Sequence, residues 1–415
     1  MRARTMDVAM LSEHASPLAT LGGVDAGGQN VHVHALATAL GRAGHEVVVH
    51  TRRTDAATPQ RVPLAPGVVV DHVPAGPAVE LGKDDLLEHM GEFADVLRGQ
   101  WAARPPDVAH AHFWMSGLAA LDAGRATGVP VTQTFHALGS VKRRHQGARD
   151  TSPAERVARE SDLAASVDRV IATCHDEVAE LVALGVSADR IDVVPCGVDV
   201  DHFTPGTAAP HSVPRILTVS RLVPRKGVDT VVRALGRLAG LPGPAPELVV
   251  AGGPTAATLD DDAEVARLRA IAAAEGVADR VHFVGRVAPA EMPDLMRSAD
   301  VVACLPAYEP FGLVPLEAMA CGRPVVAARV GGLADTVVDG VTGHHVPPGD
   351  PAAVATALRA LRARPGRARR YGRAGRRRTE AEYGWDRVAA AHERVYGEVT
   401  ASVAPLGALT TGSPA

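Results

Sequence analysis

The sequence predicts an α/β chain of two doubly wound, Rossmann-like domains. Three observations carry this. Short β-rich runs alternate with helical stretches through both halves, a segment rich in proline, glycine and alanine separates them, and 415 residues give each half enough chain for its own core. Strands are expected in the first half at 6–11, 46–52, 68–73, 107–112, 130–135, 169–174 and 191–195. Helices are expected at about 28–43, 84–103, 115–127, 153–166 and 175–184. Strands at 215–220, 247–251, 281–284, 300–305 and 324–328, with helices between them, make up the second half. Alternation of this kind implies parallel sheets covered by helices, which bind ligands outside the carboxyl ends of their strands. The expected domains are 1–205 and 215–384, with a linker over 206–214, an amphipathic helix over 385–400 and a disordered tail over 401–415.

Composition narrows the function. Hydrophobic residues make up 46% of the chain and the formal net charge is −4, which argues against a nucleic-acid partner, and no run of 18 apolar residues could span a membrane. Asp7-Val8-Ala9-Met10-Leu11 is too short for a signal peptide and reads as a first strand. Cys174, Cys196, Cys304 and Cys321 lie far apart with no metal spacing, which points to reduced thiols in the cytoplasm. Only three lysines, Lys83, Lys142 and Lys226, stand against forty arginines, and each falls in a candidate site.

The most informative stretch runs from Glu309 to Pro324. Val301-Val302-Ala303-Cys304-Leu305 is a buried strand, Pro315 suits the first turn of the following helix, and Gly322 with Pro324 closes that helix. Between strand and helix, Phe311, Gly312, Leu313 and Val314 can aim backbone N–H groups at an anion on the positive end of the helix dipole. A carboxylate repels phosphate, so Glu309 and Glu317 suit hydroxyls, one on a sugar and one on a ribose, flanking a diphosphate. A surface loop Glu and a helix-start Glu are the alternative. Ser220-Arg221-Leu222-Val223-Pro224-Arg225-Lys226-Gly227 follows the first strand of the second half, where Arg221 and Lys226 can clamp a diphosphate. Gly252, after Leu248-Val249-Val250, offers another close backbone approach.

In the first half, Leu21-Gly22-Gly23-Val24-Asp25-Ala26-Gly27-Gly28-Gln29-Asn30 opens a helix without forming Gly-x-Gly-x-x-Gly, and no P-loop occurs. A nicotinamide dehydrogenase and a P-loop enzyme are therefore disfavoured, and a glycine loop suited to phosphate remains. His110 and His112 share one strand face but lack further ligands at metal spacing, so they read as satisfied polar residues. Asp199-Val200-Asp201 reads as two surface aspartates. Nine arginines between Arg362 and Arg378 read as a solvated basic face, with anionic-surface association as the lesser alternative.

Glu-x7-Glu within EPFGLVPLEAMACGRPVVA resembles the donor-sugar motif of retaining family 4 glycosyltransferases of the GT-B fold, and the similarity runs from about Val8 to Tyr396. Its wording is similar to the sucrose-phosphate synthase group and to the inositol-phosphate enzymes of mycothiol biosynthesis. The resemblance implies two Rossmann-like domains facing across a cleft, an acceptor domain followed by a nucleotide-sugar domain, and a C-terminal helix returning to the first. It implies that His136 lies beside the reacting sugar, that the loop at Gly28 contacts the diphosphate, and that Arg286 meets the base through backbone atoms. Asn30, Lys83, Lys142 and Arg156 are similar to acceptor-pocket positions. Phe113 and Ala137 depart from that pattern, standing where a tyrosine and a threonine would each supply a hydroxyl.

The expected activity is retaining transfer of a hexose or N-acetylhexosamine from a nucleoside diphosphate sugar, UDP-sugar favoured, to a polyol or sugar acceptor carrying phosphate. His136, Arg221, Lys226 and Glu309 are the expected catalytic group. No cofactor or metal is expected, since fixed cations already serve the leaving group. A homodimer is left open. Rival readings are a GT-B nucleotide-sugar epimerase and a non-catalytic nucleotide-sugar-binding protein.

Overall fold

Eight short runs of apolar, β-branched residues build the first sheet: β1 (Asp7–Leu11), β2 (Glu46–Arg52), β3 (Arg61–Ala65), β4 (Val68–Val73), β5 (Val108–His112), β6 (Val131–Thr134), β7 (Arg169–Ala172) and β8 (Ile191–Val193). Their order is β3-β4-β2-β1-β5-β6-β7-β8 in this computed structural model, which describes residues 5–19, 27–206, 213–238 and 244–403. Every pairing is parallel except β3 with β4. Val8, Met10 and Leu11 of β1 and Val108 to His112 of β5 are buried on both faces, as central parallel strands require.

A second sheet holds β9 (Arg215–Val219), β10 (Glu247–Ala251), β11 (Val281–Gly285), β12 (Val301–Cys304), β13 (Val325–Ala328) and β14 (Gly343–Val346) in the order β11-β10-β9-β12-β13-β14. That order is the doubly wound Rossmann pattern, with strand order reversing between β9 and β12. Val302 sits opposite Leu217 on one side and Val325 on the other. The GT-B expectation of two Rossmann-like sheets with covering helices holds.

Several elements escape the sequence pattern, among them the helix Pro351–Ala363 and three others. β3 carries Pro63 and sits at the sheet edge, where a missing N–H is tolerated. β14, Gly-His-His-Val, has too little apolar alternation to register. The helix Gly139–Gln146 is mostly polar and basic, with Gly139 as its only buried residue. The glycine segment over 20–26, linker residues 207–212 and the tail from 404 lie outside the described residues.

Contacts divide the chain into one unit of Met1–Ala172, Val178–Val194 and the residues from Ala389, and another of Thr173–Glu177 and Pro195–Val388. The helix Trp385–Val403 thus passes from the second unit to the first. On the first it is held by Tyr396, whose hydroxyl lies 2.7 Å from His110 Nδ1, and by Glu393, 3.0 Å from His45 Nε2.

The arginine run corrects a sequence expectation. Arg362 lies in the last turn of the helix Pro351–Ala363, and the run from Arg367 lies in the helix Pro365–Arg378, which buries Tyr371, Gly372 and Gly375. Arg376 donates to the carbonyls of Val200, Phe203 and Ala320, and Arg378 to those of Thr336 and Asp335. These two are internal struts, because a guanidinium with five donors can satisfy several loop carbonyls at once. Gly372 lets the helix lie against the loop after the helix Leu313–Ala320: a Cβ there would stand 1.9 Å from the Gly322 carbonyl oxygen. Gly372→Ala is expected to cost about 1–3 kcal/mol in urea unfolding, while Gly366→Ala, with open space around it, changes stability by less than about 1 kcal/mol. Equal effects at both positions would refute this packing.

Candidate active site

The reversal of strand order leaves a crevice at the carboxyl ends of β9 and β12, and the residues singled out in the second half converge there. The loop after β9 brings Lys226 and the loop after β12 brings Glu309. The ammonium donates to Glu309 Oε2 in a largely buried ion pair. The Ala307 amide donates to Arg225 O at 2.8 Å, tying the two loops together, and the Gly332 amide holds Glu309 O at 2.9 Å. Arg221 is exposed on the first of these loops.

Gly312 takes φ 79° as N-cap of the helix Leu313–Ala320, so a left-handed residue turns the chain into the helix and leaves the Leu313 and Val314 amides in its first turn. Glu317 follows one turn later. It is half-buried and makes no side-chain hydrogen bond or ion pair among the described residues, and burial pushes its carboxyl up to about 8. Gly252, at φ 114°, passes against Ser220, where a Cβ would stand 2.0 Å from its carbonyl oxygen. The Arg286 amide is engaged by Pro254 O at 2.8 Å and its side chain is exposed. Phe311 lies half-buried beside Gly312.

The first unit places His112 and Phe113 at the end of β5, and His136 and Ala137 beyond β6. Phe113 (φ 79°) and His136 (φ 63°) are the only non-glycine residues with positive φ among the described residues. Backbone strain of this kind, of order 1–3 kcal/mol, persists where surrounding structure enforces it and clusters at functional sites. His136 Nε2 lies 2.8 Å from His112 Nδ1 with the rings stacked, and His110 binds Tyr396 and Thr134. His32 and His392 complete this buried group. Burial and then neighbouring histidines hold His110, His112 and His136 well below the ordinary imidazole value, and His32 falls to about 3. All are therefore neutral near pH 7, so one nitrogen of the His112–His136 pair donates and the other accepts. The expectation of two satisfied polar histidines thus captures His110 and misses the coupling of His112 to His136.

The acceptor candidates separate into two sets. Lys83 Nζ lies 3.7 Å from the Phe113 ring centroid and the Arg156 guanidinium 5.0 Å from it, so the ring faces two cations. Arg156 is buried, however, and donates to Glu160 at 2.7 Å, to Ser152 Oγ and to Ala137 O, while the Ala137 amide donates to Phe135 O. Lys142 pairs with Asp150 at 2.9 Å. Asn30 accepts from the Gly27 amide and donates to Ser16 O, fixing the start of the helix that begins at Gly28. Glu13, at the end of β1, was passed over in the sequence. Burial opposes its ionisation, but His14, Ser116 and Lys83 outweigh that and hold its carboxyl below the usual range. An acid directly after a first strand was the available signal. Asp199 Oδ1 accepts the amides of Asp201 and His202, a turn-capping role.

Comparison with known proteins covers most of the chain. Residues 201–378 match the model for Glycosyl transferases group 1, and residues 26–202 match that for Glycosyltransferase Family 4. A D-inositol 3-phosphate glycosyltransferase of Xylanimonas cellulosilytica is 42% identical, covering 95% of this chain and 97% of that protein. The chain belongs to glycosyltransferase family 4. A Mycolicibacterium smegmatis protein of the same name is 41% identical to this glycosyltransferase over 82% of the chain and 79% of its own length. The sucrose-phosphate synthase structure from Thermosynechococcus elongatus superposes with a TM-score of 0.85 at 31% identity, covering 95% of this chain and 99% of that one. Anabaena HepE in complex with UDP-glucose shares the fold, with a TM-score of 0.70 at 20% identity over 96% of this chain and all of that one.

Glu317 gives this glycosyltransferase a pH signature. Its folded carboxyl, near 8, lies above the ordinary value of 4.5, so the folded state binds more protons than the unfolded one between those values and stability falls as pH rises. Glu317→Gln is expected to raise the melting temperature relative to the parent at pH 8 and to match it near pH 4.5. Equal differences at both pH values would refute a protonated Glu317.

Proposed function

We propose that this enzyme transfers a hexose or N-acetylhexosamine, with retention at the anomeric carbon, from a nucleoside diphosphate sugar to a phosphorylated polyol or sugar. UDP is the favoured nucleotide. The observation that carries the reading is the Lys226–Glu309 pair at the strand-order reversal, beside a helix N-terminus and a half-buried Glu317. A diphosphate draws on the Lys226 ammonium, which keeps donors beyond the one given to Glu309, and on Arg221 and the first-turn amides. Glu309 accepts from sugar hydroxyls, and Glu317 from the ribose. Ribose hydroxyls supply the hydrogen bonds that this carboxyl otherwise lacks.

In the reaction the bond from the anomeric carbon to the diphosphate oxygen breaks, and a bond to the acceptor oxygen forms on the same face. The acceptor proton passes to the departing phosphate oxygen. Negative charge grows on the diphosphate, where Lys226, held by Glu309, and Arg221 supply positive charge, so they stabilise the transition state more than the ground state. These cations support a reaction that needs no metal. The family resemblance gives His136 the place beside the sugar, and its neutral state suits it to hydrogen-bond a hydroxyl.

Lys226→Ala is expected to lower turnover by roughly two to four orders of magnitude with the fold intact. Product analysis with labelled UDP-sugar and an acceptor panel is the assay: free UDP plus glycosylated acceptor supports transfer, an epimerised donor without acceptor overturns it, and a variant within about threefold of the parent removes Lys226 from the mechanism.

The relatives named D-inositol 3-phosphate glycosyltransferases, and Lys83 poised over Phe113, support a phosphorylated acceptor. Lys83→Ala is expected to raise KM for a phosphorylated acceptor by about tenfold or more and leave the dephosphorylated form unchanged. Equal effects on both would make Lys83 structural. Arg156→Ala should instead lower stability by about 3–5 kcal/mol, because it strands Glu160.

A further inference from the structure

The second sheet has a second concavity at its other end. Residues at the amino ends of β9, β10, β12 and β13 enclose a cavity of about 290 Å3. Strands of four or five residues at ~3.3 Å per residue set it roughly 15 Å from the loops of Lys226 and Glu309. Its walls are apolar, from Ile216, Val301, Leu358 and Leu361. Its rim is cationic, from Arg215, Arg323, Arg359, Arg362 and Arg369, with Asp300 the one acidic lining residue.

The arginines are not equivalent. Arg215 is neutralised by Glu247 at 2.6 Å, and Asp300 Oδ2 is engaged by the Arg215 amide at 2.8 Å. Arg323, Arg359 and Arg369 form no ion pair among the described residues. Arg323 Nε is buried there with no hydrogen-bond partner, and burial lowers its guanidinium below the ordinary value, with the nearby Asp300 charge opposing that shift. An unmet buried guanidinium nitrogen is costly, and anionic oxygens relieve the cost. Nothing in sugar transfer uses this end of the sheet. The Arg362–Arg378 run therefore divides: Arg376 and Arg378 brace loops, while Arg362 and Arg369 face this cavity.

We propose that this cavity is a binding site for a small amphiphilic phosphate, its head on Arg323, Arg359 and Arg369 and its apolar body against Leu358 and Leu361. Planar guanidinium forks match phosphate oxygens, and the volume lies at the small end of ligand pockets, enough for a short alkyl or aryl chain. A free phosphate monoester and a lipid headgroup share this chemistry.

Calorimetric titration of the full chain with hexyl phosphate tests it. One molecule binds per chain, at least about tenfold more tightly than inorganic phosphate, and hexanol does not bind. Arg323→Gln and the double variant Arg359→Gln/Arg369→Gln weaken binding by about tenfold or more, whereas Lys226→Ala and Lys83→Ala leave it unchanged. Arg359 and Arg369 are exposed, so the double variant retains the fold even if Arg323→Gln does not. Absence of binding, equal binding by the double variant, or loss in Lys226→Ala or Lys83→Ala overturns the proposal, the last by moving the anion to the sugar-transfer site. Cosedimentation with phosphatidylglycerol vesicles that the double variant loses identifies a headgroup as the source; hexyl phosphate binding without cosedimentation identifies a free monoester.

Discussion

Lys226 and Glu309 are 83 residues apart in sequence and meet because β9 and β12 are neighbours at the point where their sheet reverses order. Each loop alone would leave a charge half out of water with nothing opposite it. Together they hold the crevice open and polar, and the loops are locked further by the Ala307 and Gly332 amides. On the proposed reading, a ligand that parts this pair offers an anion to the lysine and hydroxyls to the glutamate at once, since satisfying one alone leaves the other charge without a partner. A nucleoside diphosphate joined to a sugar offers both.

The first unit solves a different problem. Its buried histidines are kept neutral by burial and then by one another, so a polar interior costs little charge desolvation. Two positive-φ residues, Phe113 and His136, lie at the ends of adjacent strands and are held by that same packing, which converts core stability into fixed side-chain direction.

The sheets were legible because their strands are short apolar runs bounded by turn residues, as in Val301 to Cys304, and that signal is local. The carboxyl-end loops were legible for the same reason. What the sequence concealed is pairing at a distance. Lys142 and Arg156 look like available cations until Asp150 and Glu160 are seen beside them, and Arg376 looks solvated until two carbonyls of the turn at 200–203 and one from the end of the helix Leu313–Ala320 converge on it. β3 and β14 went unread because edge strands need not be apolar on both faces.

The first unit is finished by the last helix. Tyr396, wholly buried, binds His110, and Glu393 meets His45, so the histidine-lined core is closed by residues 286 and 348 positions further along the chain. The second unit is almost continuous in sequence. During translation the order of completion is therefore inverted: the part begun first stays open on one side while the part begun later can close, and a nascent chain halted before Glu393 lacks the helix turns that cover His45 and His110.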